Sequence, residues 1–425
     1  MSALARYYLS EGRTVTGSDL AASDVIDLLE RSGISVRVGD IYGDSIDGSV
    51  EEVIYSAAVR EDDRELQKAR DLGIKTQSYA EALGELTVRY FTLAVAGTHG
   101  KSTTTSMLAL MMMEAGLDPT VIVGTRLAEF GGTNFRKGNG KYLVIEADEY
   151  NRSFLNYKPQ ITIINNIDND HLDTYGDING VVEGFNQYLK ALTPDAVAVL
   201  NAQDIHTEKA IIGVRCRLAF FNHKEAVLNW PLAIPGHFNQ INAEAAWQAA
   251  QLVGVERPAA ETALSKFRGA WRRLEPLEPA EPSFMRDTLF FADYGHHPTE
   301  IRATLNGLKE KYPQEKLTVV FQPHQGKRLT NIFQEFISAF RGADTVCLLP
   351  VYQVSGREEG EGKTSLDLYN ALIENNKQLG IVQEVLYKES FEESLALVGG
   401  GVVVFMGAGD IDASTRKHFR SKLIE

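Results

Sequence analysis

The stretch that most constrains the fold is a strand-sized apolar run, Phe91 to Ala96. It passes directly into Gly97-Thr98-His99-Gly100-Lys101-Ser102-Thr103, then into a helical pattern, Thr104 to Ala115, closed by Gly116. Glycines let backbone N–H groups wrap an anion, the helix N-terminus adds a positive dipole, and a lysine supplies a point charge. Strand, loop and helix in this order predict a phosphate-binding loop on a parallel sheet. The general pattern has a glycine five positions before its second one, where this chain has Val95, so the loop is a variant. Lys101 is its residue for the outer phosphates of a nucleotide, and Ser102 or Thr103 carries a hydroxyl for Mg²⁺. A glycine turn that merely caps a helix accounts for the glycines but not for Lys-Ser in this context.

The chain has 425 residues, more than one ordinary domain. Met1, Leu4, Ala5, Tyr8 and Leu9 follow helical spacing, so it opens in an amphipathic helix. A strand at 14–16, a helix over 23–32, strands at 34–38 and 53–56 and a helix over 62–72 follow. This alternation predicts an α/β, doubly wound parallel sheet. Pro276, Pro279 and Pro282 cannot continue a helix or a central strand, so a boundary is placed there. Beyond it, strands at 289–292, 317–321, 345–349 and 402–405 alternate with helical patterns. The resulting units are 1–90, 91–275 and 276–425.

Lys plus Arg number 43 and Asp plus Glu 57, a net charge of −14, which excludes wholesale neutralisation of nucleic-acid phosphates. Cys216 and Cys347 are the only cysteines, too few for a disulfide framework or a Cys-rich metal cluster. No apolar run reaches the length of a membrane span, and the first residues lack a basic region followed by an apolar one, so no signal peptide is expected. A cytoplasmic protein that binds neither membrane nor nucleic acid is expected.

Two acidic clusters follow strands behind the loop: Glu146-Ala147-Asp148-Glu149 after 142–145, and Asp168-Asn169-Asp170-His171-Leu172-Asp173 after 161–165. Open parallel sheets place ligands at strand C-termini, and hard oxygens with one imidazole suit Mg²⁺ beside phosphate better than zinc. Either cluster alone reads as a solvated acidic loop; the phosphate loop is what gives the pair its meaning. Asp293-Tyr294-Gly295-His296-His297-Pro298-Thr299-Glu300 and Gln322-Pro323-His324-Gln325-Gly326-Lys327-Arg328 each follow an apolar strand, which puts both histidine clusters on one rim of the third sheet. The His-His pair reads either as helix capping or, with Arg328, as a carboxylate clamp. Gly407-Ala408-Gly409 reads as a tight strand-to-helix turn.

Taken together with Pro235-Gly-His-Phe-Asn239, Asn242-Ala243 and Phe267-Arg-Gly-Ala-Trp-Arg-Arg273, these motifs, in their order and spacing, resemble the Mur ligase family over nearly the whole chain. The Tyr-Gly-His-His-Pro and Gln-Pro-His pair resembles its alanine-adding branch. The resemblance implies an N-terminal Rossmann-like domain for a UDP sugar, a central P-loop-type ATPase domain with a mostly parallel sheet, and a C-terminal Rossmann-like domain for the amino acid. It implies an ATP-dependent, ADP-forming amide ligase acting on UDP-N-acetylmuramate and L-alanine through an acyl phosphate, with Mg²⁺, as a monomer or homodimer.

By resemblance, Gly97, Thr98, His99, Gly100, Lys101, Ser102, Thr103, Asn239, Asn242, Arg273 and Asp293 bind ATP. Lys101, Glu146, His171 and Arg273 are the catalytic set, and Ser102, Thr103, Glu146 and His171 the metal set. Ser18 and Asp19 face the UDP sugar, while Tyr294, His296, His324 and Arg328 receive alanine.

Several positions depart from the family pattern. Met1 falls where relatives have the methionine that follows a first strand and a Gly-x-Gly-Gly-x-Gly loop, which predicts a truncated first domain. Ala292, Gln325 and Tyr150-Asn151 replace an aspartate, an arginine and Ser-Asp. The alternatives are a relative that accepts a different amine and a non-catalytic ATP-binding protein.

Overall fold

The computed structural model describes residues 1–39, 46–224, 228–281, 287–353, 362–397 and 399–423. The chain divides into two compact units. One comprises 1–126, 133–230 and 242–264; the other 127–132, 231–241 and 265–425.

In the first unit, strands β1 (Thr16–Asp19) and β2 (Ser35–Val38) pair in parallel, as do β3 (Glu52–Tyr55) and β4 (Lys75–Ser78). The pairing direction matches the sequence reading, but the single sheet it implied is replaced by two separate two-stranded pieces. All four residues of β1 are exposed. Side chains rather than backbone link the two pairs: Arg13 meets Glu51 at 2.6 Å and the Ser18 hydroxyl donates to Glu65 at 2.5 Å. The helices Ser2–Ser10 and Tyr79–Arg89 bury Ala3, Leu4 and Tyr7, and Ala82, Leu83 and Leu86, in the same core as Leu143, Ile145, Phe154 and Phe185. The Tyr7 ring lies edge-on to Tyr90 and Phe135, with its hydroxyl 3.3 Å from that of Tyr90.

The large sheet of this unit contains β5 (Phe91–Ala96), β6 (Thr120–Leu127), β7 (Thr133–Arg136), β8 (Tyr142–Glu146), β9 (Ile161–Ile164), β10 (Val197–Asn201) and β11 (Arg217–Phe221). Their order is β11-β10-β9-β5-β8-β6-β7. Strand β5 sits in the middle, with β8 on one side and β9 on the other, both parallel to it. The chain changes sides of β5 between β8 and β9. This reversal opens a crevice at the strand C-termini. The helix expected from Thr104 begins earlier, at Lys101, and runs to Glu114 with every residue from Ser102 to Met112 buried.

The second unit holds β12 (Glu275–Pro279), β13 (Thr288–Asp293), β14 (Leu317–Phe321), β15 (Thr345–Leu348), β16 (Glu384–Tyr387), β17 (Gly401–Met406) and β18 (Phe419–Ser421), in the order β16-β15-β14-β17-β13-β12-β18. The proline-rich stretch is strand after all: Pro276 and Pro279 lie in β12, between β13 and β18, while Pro282 lies outside the described residues. The strand tolerates them because it changes partner midway. Residues 275–277 pair with β13 and 277–279 with β18, and the Pro276 carbonyl still accepts from Lys422 N–H at 3.0 Å.

Replacing Tyr7 by Ala removes a buried ring from the core shared with the large sheet, at a cost of about 3 kcal/mol. Chemical denaturation is expected to show this as an earlier unfolding midpoint. An unchanged midpoint would mean that the first helix contributes nothing to that core.

Candidate active site

Three strand ends in the first unit form the site. Beyond β5 the backbone turns at Gly97 (φ +119°) and Gly100 (φ +80°). A Cβ at Gly97 would stand 2.8 Å from the Asn165 backbone nitrogen, and one at Gly100 would stand 2.5 Å from the Asn242 side-chain oxygen, so both positions require glycine twice over. Asn166 fastens the loop by accepting from His99 N–H through its side chain at 2.8 Å and from Thr98 N–H through its carbonyl at 3.0 Å. Asn165 donates to Thr104 Oγ1 at 2.9 Å and to the His99 carbonyl at 3.2 Å.

Lys101 opens the helix with its ammonium turned back into the loop. Its Nζ donates to the carbonyls of Gly97 (2.9 Å) and Thr98 (3.2 Å) and to both carboxylate oxygens of Glu149 (3.0 and 2.8 Å). Burial opposes this charge, but Glu149, Asp148 and Glu146 outweigh it, so the ammonium titrates above the ordinary lysine range. Glu149 is 1% exposed. Burial pushes its carboxyl up to about 7 against the pull of Lys101.

A cluster of possible metal ligands behind the loop shares His171 with the expected set and adds Asp148 and Glu149. Asp148, Glu149 and His171 offer ligand atoms within 4.8 Å of one another. His171, in a left-handed conformation (φ +54°), stands 3.6 Å from Glu149 through Nε2. Glu146, the last residue of β8, instead accepts from Gly124 N–H at 2.8 Å. The Asn165 and Asn169 side-chain oxygens are buried without a hydrogen-bond partner. Hard, oxygen-rich donors with one imidazole fit Mg²⁺. His99 faces Asp168 at 2.9 Å and Ser102 and Thr103 are buried in the first turn of the helix. Glu149 was legible as part of an acidic run, but its distance past the strand end hid its return to Lys101. Ser18 and Asp19 lie on the exposed strand β1.

The second unit carries its own cluster. Asp293, at the end of β13, accepts from Leu274 N–H and Gly295 N–H, both at 2.8 Å. Burial pushes its carboxyl up to about 6 although Arg273 pulls it down. The Arg272 and Arg273 guanidiniums stand 4.6 and 5.1 Å from the Tyr294 ring centre, and Arg273 reaches Glu300 at 3.3 Å. The two histidines of the pair separate in role. His297 caps the helix Pro298–Lys311, and His296 lies beside Tyr294 and 6.0 Å from His324. Arg328 follows on the helix Gly326–Asn331, after Gln325 in a left-handed turn (φ +65°). Tyr294, His296 and His324 are thus brought together on one rim, as the sequence suggested. Asn239 donates to the Pro235 carbonyl at 2.6 Å.

Family models match three consecutive stretches: the Mur ligase catalytic-domain model over residues 1–91, the middle-domain model over 95–230 and the glutamate ligase domain model over 272–409. The UDP-N-acetylmuramate–L-alanine ligase of Clostridium kluyveri is 35% identical, covering 97% of this chain and 93% of that protein. The one from Caldicellulosiruptor saccharolyticus is 36% identical, covering 97% and 94%. Among solved structures, the UDP-N-acetylmuramate-alanine ligase MurC of Thermotoga maritima superposes with a TM-score of 0.79 at 28% identity, over 98% of this chain and 95% of that one. A murein peptide ligase from Psychrobacter arcticus shares the fold, at a TM-score of 0.70 and 24% identity over 98% and 95%. The glycine loop with its buried lysine, the two acidic strand ends and the Tyr-His rim therefore sit in a three-domain architecture shared end to end with these proteins, and the chain belongs to the Mur ligase family.

Proposed function

We propose that the chain is an ATP-dependent, ADP-forming ligase that joins L-alanine to the lactyl carboxylate of UDP-N-acetylmuramate in peptidoglycan precursor synthesis. The observation that carries this reading is identity of about 35% over 97% of the chain to proteins bearing that name. Support comes from the loop that carries Lys101 and from the rim that gathers Tyr294, His296 and His324. A lactyl carboxylate oxygen attacks the γ-phosphorus of ATP, the bond to the β-γ bridging oxygen breaks, and ADP leaves. The alanine amine then attacks the acyl carbon, the C–O bond to phosphate breaks, and the amine proton is lost to solvent. No protein nucleophile takes part. The protein supplies positioning and charge.

In this reading Lys101 exchanges Glu149 for the nucleotide's outer phosphates. Asp148, Glu149 and His171, with Ser102 or Thr103, would hold Mg²⁺, whose charge would offset that of the phosphate oxygens. Glu146, which accepts from Gly124 N–H of β6, is the further metal ligand that the resemblance names. The resemblance gives Asn239, Asn242, Arg273 and Asp293 to the nucleotide, and gives the alanine carboxylate to Arg328 beside Tyr294, His296 and His324. The proposed substrates are those of a cytoplasmic enzyme; among the described residues no helix is long and apolar enough to cross a membrane.

Phosphate release in the presence of UDP-N-acetylmuramate, ATP and Mg²⁺ is expected to require L-alanine above other amines. Because Gln325 stands where relatives carry arginine, a panel including glycine, serine, D-glutamate and a murein tripeptide is the direct check; preference for any other member would refute the alanine assignment. EDTA in excess is expected to abolish release, and added Mg²⁺ to restore it. Lys101→Ala is expected to reduce turnover by at least on the order of 100-fold. It also strands Glu149 as a buried unpaired carboxyl, costing about 3 kcal/mol of stability. The double variant Lys101→Ala/Glu149→Gln is expected to recover most of that stability and none of the activity; comparison of thermal unfolding with phosphate release separates the two effects.

A further inference from the structure

Arg273 sits in an unusual piece of backbone. The residues on either side of it, Arg272 (φ +58°) and Leu274 (φ +47°), are both left-handed although neither is glycine. Non-glycine residues hold such conformations only where the surroundings over-determine them. Here the restraints can be named. Leu274 N–H donates to Asp293 at 2.8 Å, Tyr294 N–H donates to the Arg272 carbonyl at 2.7 Å, and Arg272 N–H donates to the Glu275 carboxylate at 2.9 Å.

Glu275 has no exposed surface. A carboxylate buried this deeply needs a countercharge, and it is supplied by Arg416, from the helix Ile411–His418 near the end of the chain. Arg416 donates in bidentate fashion to both Glu275 oxygens, at 3.0 and 2.6 Å, and is itself steadied by Asp412 at 3.0 and 3.2 Å. One Glu275 oxygen therefore joins Arg416 to the backbone of the strained turn. The Arg272 side chain closes the ring, donating to the Gly407 carbonyl at 2.8 Å and standing 3.8 Å from Asp412.

We infer that Arg416, through Glu275, is a positioning residue that fixes the direction in which Arg273 presents its guanidinium to the nucleotide. This rests on the ATP-binding role given to Arg273 above. Arg416 belongs to none of the motifs that resemble the family, and it donates hydrogen bonds to Glu275 and Asp412. Its effect on the reaction passes through the backbone of residues 272–275. A bidentate fork makes that link directional, so a lysine at 416 keeps the charge without the geometry.

The test is a double-mutant cycle on the full chain, read by steady-state kinetics in ATP and in L-alanine and by thermal unfolding. Arg416→Ala alone strands Glu275 and risks misfolding, so the working variant is the neutral pair Glu275→Gln/Arg416→Met, with Arg416→Lys beside it. For the pair, kcat/KM for ATP is expected to fall on the order of 10- to 100-fold, the scale of a misdirected contact, while the KM for L-alanine stays within about twofold. Arg416→Lys should recover stability but not kcat/KM for ATP. Adding Arg273→Ala to the pair should cost little more, because the arginine is already misaimed. Unchanged ATP kinetics in a folded pair variant would overturn the inference, as would losses that simply multiply when Arg273→Ala is added. If Arg273→Ala alone leaves ATP kinetics intact, the nucleotide role of Arg273 fails and the inference falls with it.

Discussion

A lysine ammonium buried at the rim of a parallel sheet has to be neutralised where it stands, and Lys101 shows how much of the first unit is arranged to do so. Its four partners are two carbonyls of its own loop and the two oxygens of a carboxylate 48 positions later in the chain. For those oxygens to arrive, β5 and β8 have to be neighbours in parallel register, with Val95 opposite Glu146. For the loop to bend around the ammonium, Gly97 and Gly100 have to take conformations closed to other residues, against Asn165 and Asn242. Strand β9, on the far side of β5, supplies the asparagines that fasten the loop and leads to His171. One buried charge thus ties together three strand ends.

The second unit solves a related problem. Its buried carboxylates, Asp293 and Glu275, hold backbone rather than a side-chain cation alone, and they meet at the turn that carries Arg272 and Arg273. Both units place functional groups at the ends of parallel strands, where side chains and loop amides converge and the backbone ladder no longer needs them. They differ in what restrains the key cation. Lys101 is held by ionic contact and its own loop carbonyls, whereas Arg273, ion-paired to Glu300, is also directed by the backbone on either side of it.

Much of this was legible in the sequence, because short apolar runs rich in β-branched and aromatic residues read as strands. The run at 91–96 and the run at 317–321 are strands over those same residues. The phosphate loop was legible because Lys101-Ser102 follows its glycines between a strand and a helix, which a mere capping turn leaves unexplained. What escaped notice depended on pairing at a distance. Pro276 and Pro279 argued against a strand, and only the change of partner from β13 to β18 explains why one forms. Glu149 was visible only as the end of an acidic run, and its return to Lys101 depends on the turn after β8. The separation of β1–β2 from β3–β4 was invisible for the same reason: local periodicity specifies a strand, and only long-range contact specifies its neighbours. Nothing local marks Arg416 either, since its partner lies 141 positions away.

The proposed mechanism requires that the lactyl carboxylate of the sugar itself take the phosphoryl group. UDP-N-acetylmuramate labelled with ¹⁸O in its lactyl carboxylate, turned over with ATP, Mg²⁺ and L-alanine, should deliver one labelled oxygen to each molecule of inorganic phosphate released, as read by mass spectrometry. Unlabelled phosphate, formed alongside the amide, would contradict the acyl phosphate route and with it the roles given to the glycine loop and Lys101.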